Sequence, residues 1–528
     1  MFVLTASREA DLSAPNAATP FPTLRTPEPY PPPVHPESMT IPSIARALAA
    51  GETSAETLVR EALARIRASD DTIHAFLALH EDRALERAQA IDAQIAAGKS
   101  PETIGPLAGV PVALKDNICL AHGSTSCASK YLAEFESPYT ATAAERLENA
   151  GAVVIGKTNL DEFAMGNTGE NSAFPAARNP WDTSRVPGGS SSGSAAAVSA
   201  GFVPVALGSD TGGSVRMPAA LCGVVGFKPT YGRISRHGLV AYASSLDQIG
   251  PITRTVEDAA RVYAAIAGPD EHDATCIDRP VDKRLDLNAP LEGLKIAVPE
   301  QARADSIDPM VRLIFGMTCK VFADMGAELI DVNLAHAEQA VAAYYTIATA
   351  EASSNLARYD GVRYGKRASL DANASLEDLY THTRTEMLGP EVKRRIMLGT
   401  HLLRAGYADR YYINAQRVRR LVHSDYDAIF RVIGAHAVLT PTSLKPAWPL
   451  GEIDQDPVAG YQQDLMTVGA SLAGLPAISV PAGFVPSGQN SLPIGVQLVG
   501  PALGEENLLR IAHQFEQRAG FEGRLAPL

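Results

Sequence analysis

No stretch of this sequence stays apolar for the roughly 18 residues that a bilayer-crossing helix needs, so no membrane span is expected. Cysteine is scarce. The five residues Cys119, Cys127, Cys222, Cys276 and Cys319 are odd in number, widely spread and free of any Cys-x-x-Cys pair. Neither a disulfide framework nor a zinc site is expected from them, and a reducing cytoplasm fits such usage. Basic charge is short as well: 46 Lys and Arg face 59 Asp and Glu, a formal net charge of −13. A nucleic-acid footprint normally shows as clustered Lys and Arg, so any nucleic acid involved is expected to be gripped mainly by a partner. Internal repeats are absent.

What is present reads as an ordinary globular chain, with 46% hydrophobic and 20% charged residues. A length of 528 residues predicts one large α/β domain with insertions, or two to three smaller ones. Residues 1–38 ("TPFPTLRTPEPYPPPVHPES") are proline-rich and lack hydrophobic periodicity, so an extended, disordered extension is expected there. They also lack a basic segment leading into an apolar core, which argues against a signal peptide. Met39 opens the globular part and is a candidate for the true start. "GETSAETLVREALARI" then offers Thr53 or Ser54 as an N-cap, with Leu58, Val59, Ala62, Leu63 and Ile66 on one helical face.

Short apolar runs bounded by Gly and Pro follow: 109–115, 152–157, 294–300, 437–442, 477–483 and 494–500. Their apolarity on both faces predicts strands buried between helical layers, and helical patterns such as "TATAAERLENAG" fall between them. The alternation predicts an α/β/α sandwich with a large mixed central sheet. Residues from about 300 to 432 are more helical and more charged, and are expected to form a mostly helical insertion.

Three polar clusters interrupt the apolar pattern: "ALKDN" at 113–117, "VPGGSSSGSAAAVSAG" at 186–201 and "GSDTGGSVRMPAA" at 208–220. Composition alone reads the second as a flexible loop, yet "AAAVSAGFVPVAL" follows at once as a buried helix and strand, which embeds the loop in the core. It lacks the Gly-Lys-Ser/Thr ending of a phosphate loop. Gly189, Ser191 and Gly193 satisfy G-x-S-x-G, but prolines stand where a nucleophile elbow needs a strand. A serine hydroxyl is a poor nucleophile unless a base takes its proton. Lys115 ends an apolar strand, where desolvation pushes an amine down from its usual ~10.4 and frees a lone pair.

Together the clusters resemble the amidase signature enzymes, which use a lysine, a bridging cis-serine and a nucleophilic serine in that chain order. Lys115, Ser190 and Ser214 match those positions; Ser192 departs from the pattern, where a glycine is usual. The resemblance implies an amidase signature domain over 39–528 in which Ser214 attacks an amide. Backbone N–H groups of Thr211, Gly212, Gly213 and Ser214 would then face the oxyanion, reached because glycines carry no side chains. Asp210 and Arg216 are read as a pair that holds this loop.

Longer segments, including "GKTNLDEFAMGNTGENSAF", "GVVGFKPTYGRISRHGLVAYASSLDQIGPITRTVEDAA" and "EVKRRIMLGT", resemble the family of A subunits of glutamyl-tRNA(Gln)/aspartyl-tRNA(Asn) amidotransferases. This implies glutamine as substrate and ammonia passed to a B subunit that holds the tRNA, with a small C subunit covering the interface. No cofactor is implied for this chain, since ATP and Mg belong to the partner subunit. By the same resemblance Arg395 or its neighbour Arg394 holds the glutamine carboxylate, Asp464 the ammonium and Tyr345 a further contact, with Met165 near the acyl pocket. Two rivals stand beside this reading: a stand-alone amidase for a small amide, and a catalytically idle scaffold. The intact Lys115, Ser190 and Ser214 argue against the second.

Overall fold

The computed structural model describes residues 39–282, 285–371, 373–452, 457–488, 490–521 and 523–527; the proline-rich segment 1–38 lies outside them. Among the described residues eleven strands form one mixed sheet. They are β1 (Phe76–Leu79), β2 (Pro111–Lys115), β3 (Val153–Thr158), β4 (Val205–Asp210), β5 (Val225–Lys228), β6 (Gln248–Thr253), β7 (Lys295–Pro299), β8 (Glu328–Val332), β9 (Ala437–Pro441), β10 (Ala477–Ser487) and β11 (Asn490–Val499). Their order across the sheet is β1-β3-β2-β4-β6-β5-β10-β11-β9-β7-β8. All six apolar runs singled out in the sequence are strands, and the mixed α/β architecture is as expected.

The alternation within β2 explains how helices cover both faces. Val112 and Leu114 share one core with Val205 and Leu207, whereas Ala113 faces the other with Ala206 and with Ala195, Ala196 and Ala197 of the helix Ser192–Ser199. Small residues on both partners let that helix lie close to the sheet. Each fully buried Leu or Val contributes on the order of 1.5–3 kcal/mol against leaving it in water. The amphipathic helix Ala55–Ile73 behaves as its spacing predicts, burying Leu58, Val59, Ala62, Leu63 and Ile66. Ser54 rather than Thr53 caps it, accepting from the Thr57 N–H at 3.1 Å.

Strand direction positions the site. β2 is parallel to both β3 and β4, with Val112, Ala113 and Leu114 opposite Val205, Ala206 and Leu207. Lys115 and the turn after β4 therefore emerge at the same end of the sheet. The crossover from β3 to β4 runs through the helix Ser192–Ser199, whose N-terminus must then lie at that end too. Crevices at the carboxyl ends of parallel strands are where α/β sheets bind ligands.

The segment 300–432 is not all helix. Its first part, the helix Pro309–Asp324 and β8, belongs to the sheet sandwich, with β8 parallel to β7 at the edge. Its second part supplies the helices Ala337–Asn355, Leu376–Met387, Pro390–Leu402 and Asn414–Ala428. No helix among the described residues is long and apolar enough to cross a membrane.

Candidate active site

Lys115 is fully buried where β2 ends. Its Nζ lies 2.7 Å from Ser190 Oγ, 2.9 Å from Ser209 Oγ and 3.3 Å from the Ser209 carbonyl. Burial pushes the amine down from 10.5 to about 7, against the opposing pull of Asp161, Asp210 and Asp247. About half of it is thus uncharged at neutral pH. The Ser209 carbonyl can only accept, so one N–H is committed there; Ser209 Oγ already accepts from Asn117 Nδ2 at 2.9 Å. A neutral amine keeps one lone pair, and the Ser190 hydroxyl lies within hydrogen-bond reach of it.

Ser190 follows a cis Gly189–Ser190 peptide. The next residue ties this loop to the turn after β4: the Ser191 N–H donates to the Ser214 carbonyl at 3.1 Å, and Ser191 Oγ donates to the Ser209 carbonyl at 3.2 Å. Ser190 is thus joined to Lys115 by its side chain and brought beside Ser214 by main chain. Ser214 is 8% exposed, and its Oγ has no hydrogen-bond partner among the described residues. Catalytic hydrogen bonds often tighten only around substrate. The departure at Ser192 removes nothing: it begins the helix, fully buried.

The turn itself is bare main chain. Among the described residues the N–H groups of Thr211, Gly212, Gly213 and Ser214 find no protein acceptor, although buried donors are nearly always paired. A Cβ at Gly212 would overlap the Tyr344 ring, and one at Gly213, whose φ is 148°, would overlap Thr467. No side chain fits at either position, and four donors stay open to a ligand.

Asp210 and Arg216 hold this turn as the sequence suggests. Both are fully buried, and the guanidinium meets the carboxylate through two bonds of 2.9 Å. Arg216 also donates to the Thr467 carbonyl, Gln497 Oε1 and Ser471 Oγ at 3.0, 2.5 and 2.9 Å. Burial raises the Asp210 pKa, but Arg216 and the Val215 N–H outweigh it and hold the carboxyl below the usual range. Arg216→Met should cost about 3–5 kcal/mol of unfolding free energy, because it strands a buried carboxylate. Urea titration checks this, and a loss below about 1 kcal/mol would mean the pair does not hold the turn.

A second cluster joins Arg395 and Asp464 through tyrosines. Arg395 is 4% exposed; its Nε donates to Glu391 Oε1 at 2.7 Å and its Nη1 to Tyr242 Oη at 2.8 Å. The rings of Tyr242, Tyr345 and Tyr461 stand 5.3–5.6 Å from the guanidinium carbon, within cation–π range. Arg394 pairs with the other oxygen of Glu391 but is half-exposed. Asp464 is buried and accepts from Tyr345 Oη at 2.6 Å and Asn167 Nδ2 at 3.1 Å. Burial pushes its carboxyl up to about 6 against those two bonds and the charge of Arg395. Tyr345 stacks on Tyr461 at 4.1 Å between ring centres.

Gly166, Asn167, Glu391, Arg394, Arg395 and Tyr461 are among the walls of a cleft of about 660 Å³. Met165 is fully buried in the apolar cluster that also holds Tyr344 and Tyr345. Tyr344 and Tyr345 are neighbours on one helix, and Asp464 precedes the helix that carries Thr467. One helix that wedges the bare turn thus begins at Asp464, and the other carries Tyr345, which bonds Asp464 and faces Arg395. Ser209, Asn117, Asn167, Tyr242 and Glu391 escaped the sequence reading. Only Glu391 left a signal, its i,i+4 spacing to Arg395.

A family model described as Amidase matches residues 57–509, most of the chain. The chain belongs to the amidase family. Among curated relatives, the A subunit of glutamyl-tRNA(Gln) amidotransferase from Azotobacter vinelandii is 49% identical over 487 residues, covering 92% of this chain and 98% of that protein. The crystal structure of the A subunit of glutamyl-tRNA(Gln) amidotransferase from Thermotoga maritima superposes with a TM-score of 0.76 at 42% identity, covering 94% of this chain and 98% of that one. The native peptide amidase of Stenotrophomonas maltophilia matches with the same TM-score at 32% identity, over 92% and 98% of the two chains. Both resemblances read from the sequence, to amidases and to amidotransferase A subunits, hold over nearly the whole amidase domain.

Proposed function

We propose that this amidase hydrolyses glutamine and supplies the ammonia to partner subunits that amidate a misacylated tRNA. Ser214 Oγ attacks the side-chain carboxamide carbon, its proton passes to Ser190, and the proton of Ser190 passes to neutral Lys115. The oxyanion that forms is met by the free N–H groups of Thr211 to Ser214, fixed before the reaction starts. Lys115 returns its proton through Ser190 to the departing nitrogen, ammonia leaves, and Ser214 carries an acyl group. Water then attacks that ester with the same relay reversed.

One observation carries the choice of glutamine: two buried charges of opposite sign, Arg395 and Asp464, flank a tyrosine stack beside the bare turn. The bonded partners of Asp464, Tyr345 and Asn167, are neutral, so its charge is uncompensated by them. An α-carboxylate on Arg395 and an α-ammonium on Asp464 would complete both. The 49% identity to the A subunit of a glutamyl-tRNA(Gln) amidotransferase agrees with this substrate, and with partner subunits that grip tRNA in place of this acidic chain.

Arg395→Ala tests the substrate. The KM for glutamine should rise on the order of 100-fold, the scale of losing one buried charge partner, while an amide without an α-carboxylate is hardly affected. Equal losses on both substrates would refute the assignment.

A further inference from the structure

Glu391 serves two arginines at once. Its Oε1 accepts from Arg395 Nε at 2.7 Å and from Tyr461 Oη at 2.9 Å, and its Oε2 faces Arg394 Nη1. With Tyr242 on Nη1, the Arg395 guanidinium is held on two sides, while its Nη2 has no hydrogen-bond partner among the described residues. All three side chains are among the cleft walls. Glu170, another acid there, accepts from the Gly451 N–H at 2.6 Å.

Charge counting shows what the third member does. A lone Glu391–Arg395 pair would be neutral, and an arriving carboxylate would meet a guanidinium already satisfied, next to a like charge. Arg394 cancels Glu391 from the solvent side, so the trio of two guanidiniums and one carboxylate keeps one positive charge in excess. The side chains grade outward, with Arg395 4% exposed, Glu391 8% and Arg394 49%. Arg395, the deepest of the three, is the one that keeps a nitrogen without a hydrogen-bond partner among the described residues.

We propose that Glu391 is a positioning residue that aims Arg395, and that Arg394 cancels the charge of Glu391, so that the cleft selects amides bearing an α-carboxylate. This rests on the reading of Arg395 as the group that receives that carboxylate. Arg394 then sets specificity without being the residue that binds.

The test is steady-state kinetics on the full chain with its co-expressed partner subunits, at low ionic strength, using glutamine and an amide that lacks the α-carboxylate. Arg394→Ala should raise the glutamine KM about tenfold, equivalent to ~1.4 kcal/mol, with kcat within about twofold and the second amide hardly changed. Arg394→Lys, which keeps the charge, should stay close to the parent KM. Glu391→Gln keeps the acceptor for Arg395 and removes the negative charge, so it should lower the glutamine KM. Adding it to Arg394→Ala restores the single excess charge and should bring KM back toward the parent value. An unchanged KM in Arg394→Ala, or a double variant worse than either single one, would overturn the proposal. Arg395→Ala separates the two levels. If that change leaves the glutamine KM unaltered, the parent reading falls; if it raises KM while Arg394→Ala does not, only the role of Glu391 and Arg394 falls.

Discussion

Ser214→Ala is expected to lower ammonia release from glutamine by roughly 10⁴-fold or more, since losing the nucleophile of a linked serine relay costs nearly as much as losing the whole relay. The substitution removes one oxygen that makes no hydrogen bond within the described protein, from a residue that is 8% exposed. The bare turn, its wedge between Tyr344 and Thr467, and the Asp210–Arg216 pair remain. Thermal unfolding should therefore shift by no more than a few degrees, a ΔΔG of under about 1 kcal/mol. Glutamine binding, measured by calorimetry on the inactive variant, should persist. An inactive variant that had also unfolded would say nothing of chemistry, which is why the melting curve accompanies the assay.

Lys115→Met should cost about 10²–10⁴-fold in rate, the usual range for a positioned general base, and should also remove a pH dependence. In the proposed relay the neutral amine is the working form. Activity is then present above about pH 7 and falls roughly tenfold per unit below it, as Lys115 gains its proton. The methionine variant has no such limb. Asp464, pushed up to about 6, should add a lower limb of its own for glutamine, because its protonation would remove the proposed partner of the α-ammonium. An amide without that ammonium should lack this second limb. Stability moves in a definite direction too. The amine is deprotonated near 7 in the folded chain and near 10.5 in the unfolded one, so the unfolded chain binds more protons between those values, and the penalty for burying Lys115 shrinks as pH rises. Methionine fills similar volume with no charge to desolvate, so the variant should melt no lower than the parent at neutral pH. A rate profile that kept its limb near pH 7 in Lys115→Met would assign that titration to another group.

The fold was legible wherever a strand is buried on both faces, because burial demands an unbroken apolar run and the turn residues bound it. β2, β3 and β9 announce themselves in this way. β1 and β5 have four residues each, too short for a period to show. β6 reads "QIGPIT", with Gly and Pro where a strand pattern is sought, and β8 lies at the sheet edge with exposed positions that break the apolar signal. Helix capping was legible to within a residue: Thr53 and Ser54 carry the same kind of oxygen, and only the backbone decides which one faces Thr57.

The site divides by the same logic. Lys115, Ser190 and Ser214 stand out because each sits at a strand end or among glycines, features that serve no purpose in plain core. The choice between Arg394 and Arg395 was left open because the two adjoin in sequence, and burial differs only once the helix Pro390–Leu402 is packed. Ser209 and Asn117 show nothing in one dimension. Ser209 meets both Lys115 and Asn117 because β2 and β4 are parallel neighbours, a relation between segments more than 90 residues apart.

The measurement closest to the central claim is mass spectrometry of the enzyme quenched in acid during glutamine turnover, with digestion to locate any adduct. A γ-glutamyl group on the peptide that contains Ser214, present with Lys115 intact and absent from Ser214→Ala, is the predicted result. A glutamyl group on any other residue, or ammonia released at the parent rate by Ser214→Ala, would contradict it.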